Sequence, residues 1–185
     1  MIRRAFKVNP TSIYGLARTA KAWDKPAMSN SLTRVTQALT AAGLDVKIHA
    51  MAQPTRTAAE AASAAGVTLD QIAKSILLQG ADGQLHLFLT AGGNQVDPAR
   101  AATLTGQSLH RADAETVRRI TGFAIGGVAP LGHLTPLPVW FDPRLLDFAN
   151  VWAAAGTPNH IFQIDPRSLL ALTRATLASF TTPNP

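Results

Sequence analysis

Lys74-Ser-Ile-Leu-Leu-Gln-Gly-Ala-Asp-Gly-Gln-Leu-His-Leu-Phe-Leu-Thr90 is the stretch that sets the class of fold. Two largely apolar runs, Lys74–Gln79 and Gln84–Thr90, flank Gly80-Ala-Asp-Gly83. Runs of that length around a glycine-bearing turn read as a β-hairpin. Upstream, Thr68–Ala73 reads as a short helical turn. Thr57 stands three residues before Glu60, the capping-box spacing, and opens a helix over Ala58–Ala65 that Gly66 stops. Asp45–Met51 alternates and reads as a strand. Before it, Leu32, Val35, Leu39 and Ala42 fall at helical spacing up to Gly43, with Asn30 or Ser31 as cap.

Downstream, Ala91–Asp97 reads as a loop whose last residue caps a helix over Pro98–Leu104, with proline in the first turn. Ala112–Ile120 is helical, acidic at its start and basic at its end, as the helix dipole favours. Pro138–Asp142 is a short apolar strand and Pro143–Phe148 a helical turn. Asn150–Ala155 and His160–Ile164 are strands around the Gly156-Thr-Pro-Asn159 turn. Asp165 caps a last helix to Thr173, and Thr181–Pro185 reads as a frayed end. These elements predict one α/β domain with a mixed sheet over residues 28–181.

The 185-residue chain is 46% hydrophobic and 15% charged, enough apolar material for a core. No run approaches the ~18 apolar residues of a membrane span. The absence of cysteine excludes disulfides, thiolate metal sites and a cysteine nucleophile, and fits a reducing cytoplasm. The net charge of +6 is unevenly placed. Residues 1–27 carry Arg3, Arg4, Lys7, Arg18, Lys21 and Lys25 against Asp24 alone, so the remainder is nearly neutral. Contact with a polyanion must therefore come from a local patch. An arginine-rich, acid-poor start has the composition of a transit peptide. It reads here as a disordered tail or an extension ahead of a natural start at Met28, because Met28-Ser-Asn-Ser opens a helix so readily.

Two features carry the chemistry. Thr121-Gly-Phe-Ala-Ile-Gly-Gly-Val-Ala-Pro-Leu-Gly-His133 holds four glycines and a proline between Gly122 and Gly132. Such a segment either connects two strands tightly or presents bare backbone N–H and C=O groups to a ligand. Lys74 shares a strand face with Ile76 and Leu78. A lysine there either snorkels to water or holds an ammonium at a pocket mouth, where it binds an anion or stabilises developing negative charge. Position alone does not choose.

The chain has no Gly-x-Ser-x-Gly elbow, no His-Glu-x-x-His and no Walker loop. His49, His86, His110, His133 and His160 lie at no ligand spacing, so no metal site is expected. His86 reads as structural. His133 and His160, each beside a glycine-bearing turn, read either as structural or as pocket lining.

The order of four stretches resembles the YbaK/prolyl-tRNA synthetase-associated editing family. They are Thr57-x-x-x-Ala61-Ala62 with Gly66; Ile72-Ala-Lys74-Ser-Ile-Leu-Leu; Thr121-Gly-x-x-x-Gly126-Gly-Val-x-Pro130-x-Gly132-His; and Val139-x-x-Asp142. Ala155-Gly-Thr-Pro-Asn159 and Leu169-x-x-Leu172-Thr resemble its free-standing bacterial members. Each motif is weak alone, and the likeness runs from about residue 31 to 173. It departs in the N-terminal extension and at Arg174-Ala-Thr, where a glycine-containing end would be expected.

The resemblance implies a mixed, partly barrel-like sheet and hydrolysis of the ester of a mischarged aminoacyl-tRNA. Lys74 and Gly126 would be the catalytic residues. Bare backbone over Gly126, Gly127, Val128 and Ala129 would hold the aminoacyl group, with Pro130, Gly132, His133, Thr57, Asn94 and Asp142 lining or shaping the pocket. Lys74 would hold the terminal adenosine or its phosphate. No protein nucleophile, metal or cofactor is required, because the ribose hydroxyl or a substrate thiol assists the attack.

The expected enzyme is a free-standing cytoplasmic monomer acting on tRNA(Pro) that carries Cys or Ala. It would meet prolyl-tRNA synthetase transiently and no membrane. A module of the same fold that binds tRNA or a synthetase without catalysis is the alternative. A small-molecule esterase is disfavoured, since no activated nucleophile is present.

Overall fold

The two apolar runs of the hairpin build the centre of the molecule. The computed structural model describes residues 30–55 and 57–183, so the expectations for residues 1–27 and for a start at Met28 lie outside the described residues. The helices are α1 (Asn30–Ala41), α2 (Ala58–Ala65), α3 (Pro98–Thr105), α4 (Ala114–Thr121) and α5 (Pro166–Thr173). The strands are β1 (Ile48–Ala50), β2 (Ile72–Gly80), β3 (Leu85–Ala91), β4 (Asn94–Val96), β5 (Leu109–Arg111), β6 (Val139–Phe141), β7 (Val151–Ala154), β8 (His160–Ile164), β9 (Thr176–Leu177) and β10 (Thr181–Pro183). Short 3-10 turns cover Leu69–Gln71 and Pro143–Asp147.

The main sheet runs β1-β8-β7-β2-β3-β6-β9, with β5 also beside β2. β2 and β3 form the antiparallel hairpin, from Ala73 opposite Ala91 to Gln79 opposite Leu85. The pairs β2–β7, β3–β6 and β6–β9 are parallel, which makes the sheet mixed. The sheet does not close into a barrel: its strand path is open, ending at β1 on one side and β9 on the other.

β3 is buried at every position because both its faces are covered. Leu87 and Leu89 join Leu32, Val35 and Leu39 of α1, with Phe123, Phe141 and Phe162, in the main core. Phe88 packs on the other face with Ala101 and Phe180. A third cluster joins α2 to the sheet through Ala61, Ala62, Ile72, Trp152 and Ile161. His86 is 4% exposed, with no hydrogen-bond partner on either ring nitrogen among the described residues, and burial pulls its pKa below the ordinary histidine value while the Asp82 carboxylate partly offsets this.

Two segments expected to be irregular are strands. Asn94–Val96 lies within the expected loop and Thr181–Pro183 within the expected frayed end, yet they pair antiparallel as β4 and β10. The anchor is Phe180, fully buried, with its ring edge-on to Phe88 at 5.0 Å, while Asp97 N–H donates to Phe180 O at 2.8 Å. One buried aromatic of this kind outweighs the local lack of strand signal. At the other end, Asn30 and Ser31 lie inside α1 rather than capping it, and Ser31 Oγ donates to Gly122 O at 3.2 Å. α5 ends at Thr173 with Arg174 in the left-handed region (φ +51°), the position where glycine is usual.

Candidate active site

The hairpin leaves a gap on one edge of β2. β3 pairs it from Ala73 to Gln79, but on the opposite side β7 pairs only Ile72 and Ala73, and β5 only Leu78–Gly80. Between them the edge has no strand among the described residues. Leu87 N–H and Leu89 C=O bond toward β6, through Pro138 O and Asp142 N at 2.9 Å each. Alternation therefore turns His86, Phe88 and Thr90 toward β2, where Leu78, Ile76 and Lys74 complete the ladder. Ser75, in the middle of the gap, directs its own backbone N–H and C=O the other way. Its Oγ is buried and has no partner among the described residues.

A cavity of about 390 Å³ opens at this gap. Its walls are β2 from Ala73 to Ile76, the start of α2 at Thr57, Ala58 and Ala61, the loop at Gly126 and Val128, and the Thr157–Pro158 turn with His160 and Trp152.

Lys74 sits at the rim. Its Nζ donates to Gly92 O at 3.0 Å and to Asn94 O. That leaves one of its three N–H donors for the cavity it lines. Burial draws its pKa below 10.5, and the carboxylates of Asp142 and Asp70 partly offset this. The ammonium is thus held in place and only partly shielded by water.

Asp142 fixes the loop that receives Lys74. It is 2% exposed; one carboxylate oxygen accepts from Ala91 N–H (3.1 Å) and Asn94 Nδ2 (2.9 Å), the other from Arg144 N–H (3.0 Å). It caps the Pro143–Asp147 turn and stands behind Lys74, outside the cavity lining. Asp70 holds the same loop through Gly93 N–H (2.8 Å) and is itself held by Arg144 (2.9 Å). Asp142→Ala would strand the Ala91 and Asn94 donors. It is expected to lower stability by about 3 kcal/mol, seen as a lower urea midpoint with unchanged slope.

The glycine-rich stretch divides into two parts. Gly126 has φ +87° and open space around it. A Cβ at Gly127 would lie 2.7 Å from the Thr157 backbone, so the loop and the Thr157 turn touch through that glycine. Val128 is nearly buried and lines the cavity. Ala129 to Leu131 turn into the core. His133 Nε2 bonds Ala129 O at 2.8 Å, its ring packs edge-on to Phe123, and burial lowers its pKa. Pro130, Gly132 and His133 border a separate cleft beside α5.

Of the sequence-predicted site residues, Lys74, Gly126, Thr57 and Val128 line the cavity. Gly127, Asn94 and Asp142 support it, and Ala129, Pro130, Gly132 and His133 belong to the loop's anchored half. Thr57 Oγ is engaged in its helix cap, accepting from Glu60 N–H at 3.2 Å.

Four neighbours escape sequence reasoning. Arg34 of α1 donates to Gly122 O (2.8 Å) and Gly132 O (3.1 Å), tying both ends of the glycine-rich loop, and stacks over Phe123 at 4.9 Å. Nothing local in the α1 sequence signals so long-range a contact. Arg111 and Trp152 reach the cavity from strands without distinctive motifs. Thr157 Oγ1 lies 2.7 Å from His160 Nδ1, and the Gly-Thr-Pro-Asn turn was the available signal.

Comparison with known proteins fits this arrangement. A 113-residue match at 32% identity relates the chain to the uncharacterised protein YwhH of Bacillus subtilis (strain 168), covering 61% of this chain and 72% of that protein. Proline–tRNA ligase of Bacillus licheniformis is 30% identical over 109 residues, covering 58% of this chain but only 19% of the ligase. A solved structure described as a candidate trans-editing enzyme for prolyl-tRNA synthetase superposes with TM-score 0.79 at 45% identity, over 84% of this chain and 99% of that one. The profile of the aminoacyl-tRNA editing domain matches residues 52–172, from the loop before α2 to the last turn of α5, and the chain belongs to that family.

Proposed function

We propose that this protein hydrolyses the ester that joins a wrong, small amino acid to tRNA, with Cys- or Ala-tRNA(Pro) as substrate. The observation that carries the reading is the placement of Lys74, which Gly92 O and Asn94 O hold with one N–H donor uncommitted and which lines a cavity between the bare edge of β2 and the Gly126 loop.

In this reading the aminoacyl group enters the gap. Backbone groups of the Gly126–Val128 loop and of Ser75 supply hydrogen bonds to it. Water attacks the ester carbonyl, assisted by the neighbouring ribose hydroxyl; the C–O bond to the ribose breaks and the ribose oxygen leaves with a proton. For a cysteinyl ester the substrate thiol is the alternative attacking group. The protein's part is positioning and electrostatic stabilisation, with Lys74 beside the charge that develops. Discrimination is limited, since one methylene in an apolar pocket changes binding by about 1–3 kcal/mol. The walls at Ile72, Val128 and Trp152 are where such a difference would be felt.

The reading carries with it a cytoplasmic monomer that meets prolyl-tRNA synthetase transiently. Among the described residues no helix is long and apolar enough to cross a membrane.

The test is deacylation of tRNA(Pro) charged separately with Cys, Ala and Pro. Loss of Cys or Ala with Pro spared is the expected result. If the protein binds tRNA(Pro) yet hydrolyses none of the three, the binding-only alternative replaces this one.

A further inference from the structure

Arg111, the last residue of β5, lies directly opposite Leu78 in the β2–β5 pair. Facing residues of an antiparallel pair put their side chains on the same side of the sheet. Leu78, Ile76 and Lys74 share that side of β2 by alternation. Arg111 and Lys74 therefore stand on one face, separated by four residues, or about 13 Å along the strand.

Arg111 borders the reaction cavity and also a second cleft of about 430 Å³ beside it, and Lys74 and Ile76 are shared walls of both. Among the described residues no carboxylate lines either cleft. Arg34 and Arg144 are committed to structural partners, whereas Arg111 is exposed with no ion pair or side-chain hydrogen bond among the described residues. An uncommitted guanidinium on a carboxylate-free face suits an anion, and its planar fork matches phosphate bidentately.

We propose that the second cleft is a phosphate site for the single-stranded end of an RNA, with Arg111 holding a phosphodiester and Gln95 lining the same cleft. The proposal rests on the editing reading. With the aminoacylated nucleoside in the first cavity, the rest of the strand must leave that cavity. On one side α2 and the Thr157–Pro158 turn form its walls; on the Arg111 side the second cleft continues from it.

The experiment uses the full chain as wild type, Arg111→Gln, Arg111→Lys and, as a control for overall charge, Arg167→Gln on α5. Binding of a labelled, uncharged ACCA tetraribonucleotide is measured by fluorescence anisotropy over a series of KCl concentrations. Loss of one phosphate contact on a single strand lowers the slope of log K against log salt by about 0.7. Arg111→Gln is expected to show that loss and a several-fold weaker affinity at low salt. Arg111→Lys should keep the slope, and Arg167→Gln should change neither quantity.

Equal slopes and affinities for wild type and Arg111→Gln would overturn the site. Displacement of the RNA by inorganic phosphate at concentrations comparable with the RNA would overturn the RNA assignment in favour of a free anion. Deacylation of charged tRNA(Pro), run in parallel, separates the two ideas. Hydrolysis that Arg111→Gln leaves unchanged in KM and salt dependence removes the phosphate site and keeps editing. Arg111-dependent RNA binding without any hydrolysis removes editing and keeps the phosphate site.

Discussion

Lys74→Ala is expected to slow deacylation of the mischarged tRNA by about a hundred- to a thousandfold, the usual effect of losing one donor aimed at a developing oxyanion. Binding of uncharged tRNA should change much less, because the loss falls on kcat. The fold should survive. Gly92 O and Asn94 O lose a donor, but Asp142 and Asp70 still hold the loop that carries them. Lys74→Arg should not restore the rate, since a planar fork cannot reproduce a compact ammonium held between two carbonyls.

The pH dependence gives an independent readout. Burial lowers the Lys74 pKa, so its charge is lost as pH rises through a value below 10.5. The ratio of catalysed to spontaneous hydrolysis should fall over that limb in the wild type and be flat in Lys74→Ala. A rate that Lys74→Ala leaves intact, with tRNA still bound, would remove Lys74 from the chemical step.

The sequence made most of this frame legible because its signals are local. Capping residues Thr57, Asp97 and Asp165 each bond the backbone of their own first turn, and the helices start where those residues stand. The β2–β3 hairpin follows from two apolar runs of strand length around the Gly80–Gly83 turn. β4 and β10 were not legible, because Thr181–Pro183 has no strand pattern and owes its place to Phe180, which fills a space defined only after β3 and α3 meet.

The candidate site divides along the same line. Lys74 and Gly126 stand out as a lysine in an apolar strand and a glycine in a glycine-rich loop. Arg34 and Arg111 do not, since each acquires meaning from a partner far along the chain: Gly122 and Gly132 for one, the edge of β2 for the other. The gap in that edge is a property of strand order. No residue within β2 announces that its neighbours stop short.

The adjacent glycines of the loop separate two ways of failing. Gly126→Ala has room for its methyl group but needs a left-handed backbone that costs an L-residue about 1–2 kcal/mol. The loop can relax toward solvent, so the penalty should appear mainly as a modest fall in Tm. Gly127→Ala meets the reverse problem. No positive φ is required, but its methyl group would sit 2.7 Å from backbone atoms of Thr157, which cannot rotate away as a side chain would.

The loop and the Thr157 turn must then move apart. These are two walls of one cavity, and Thr157 also holds His160 through its hydroxyl. A displacement near 1 Å in such a site costs about a hundredfold in rate. Gly127→Ala is therefore expected to lose about that much kcat, while overpacking lowers stability by about 1–3 kcal/mol. Measuring kcat and Tm for both variants decides the point. If Gly127→Ala matches the wild type in both, the turn does not press on the loop, and the cavity is not shaped by their contact.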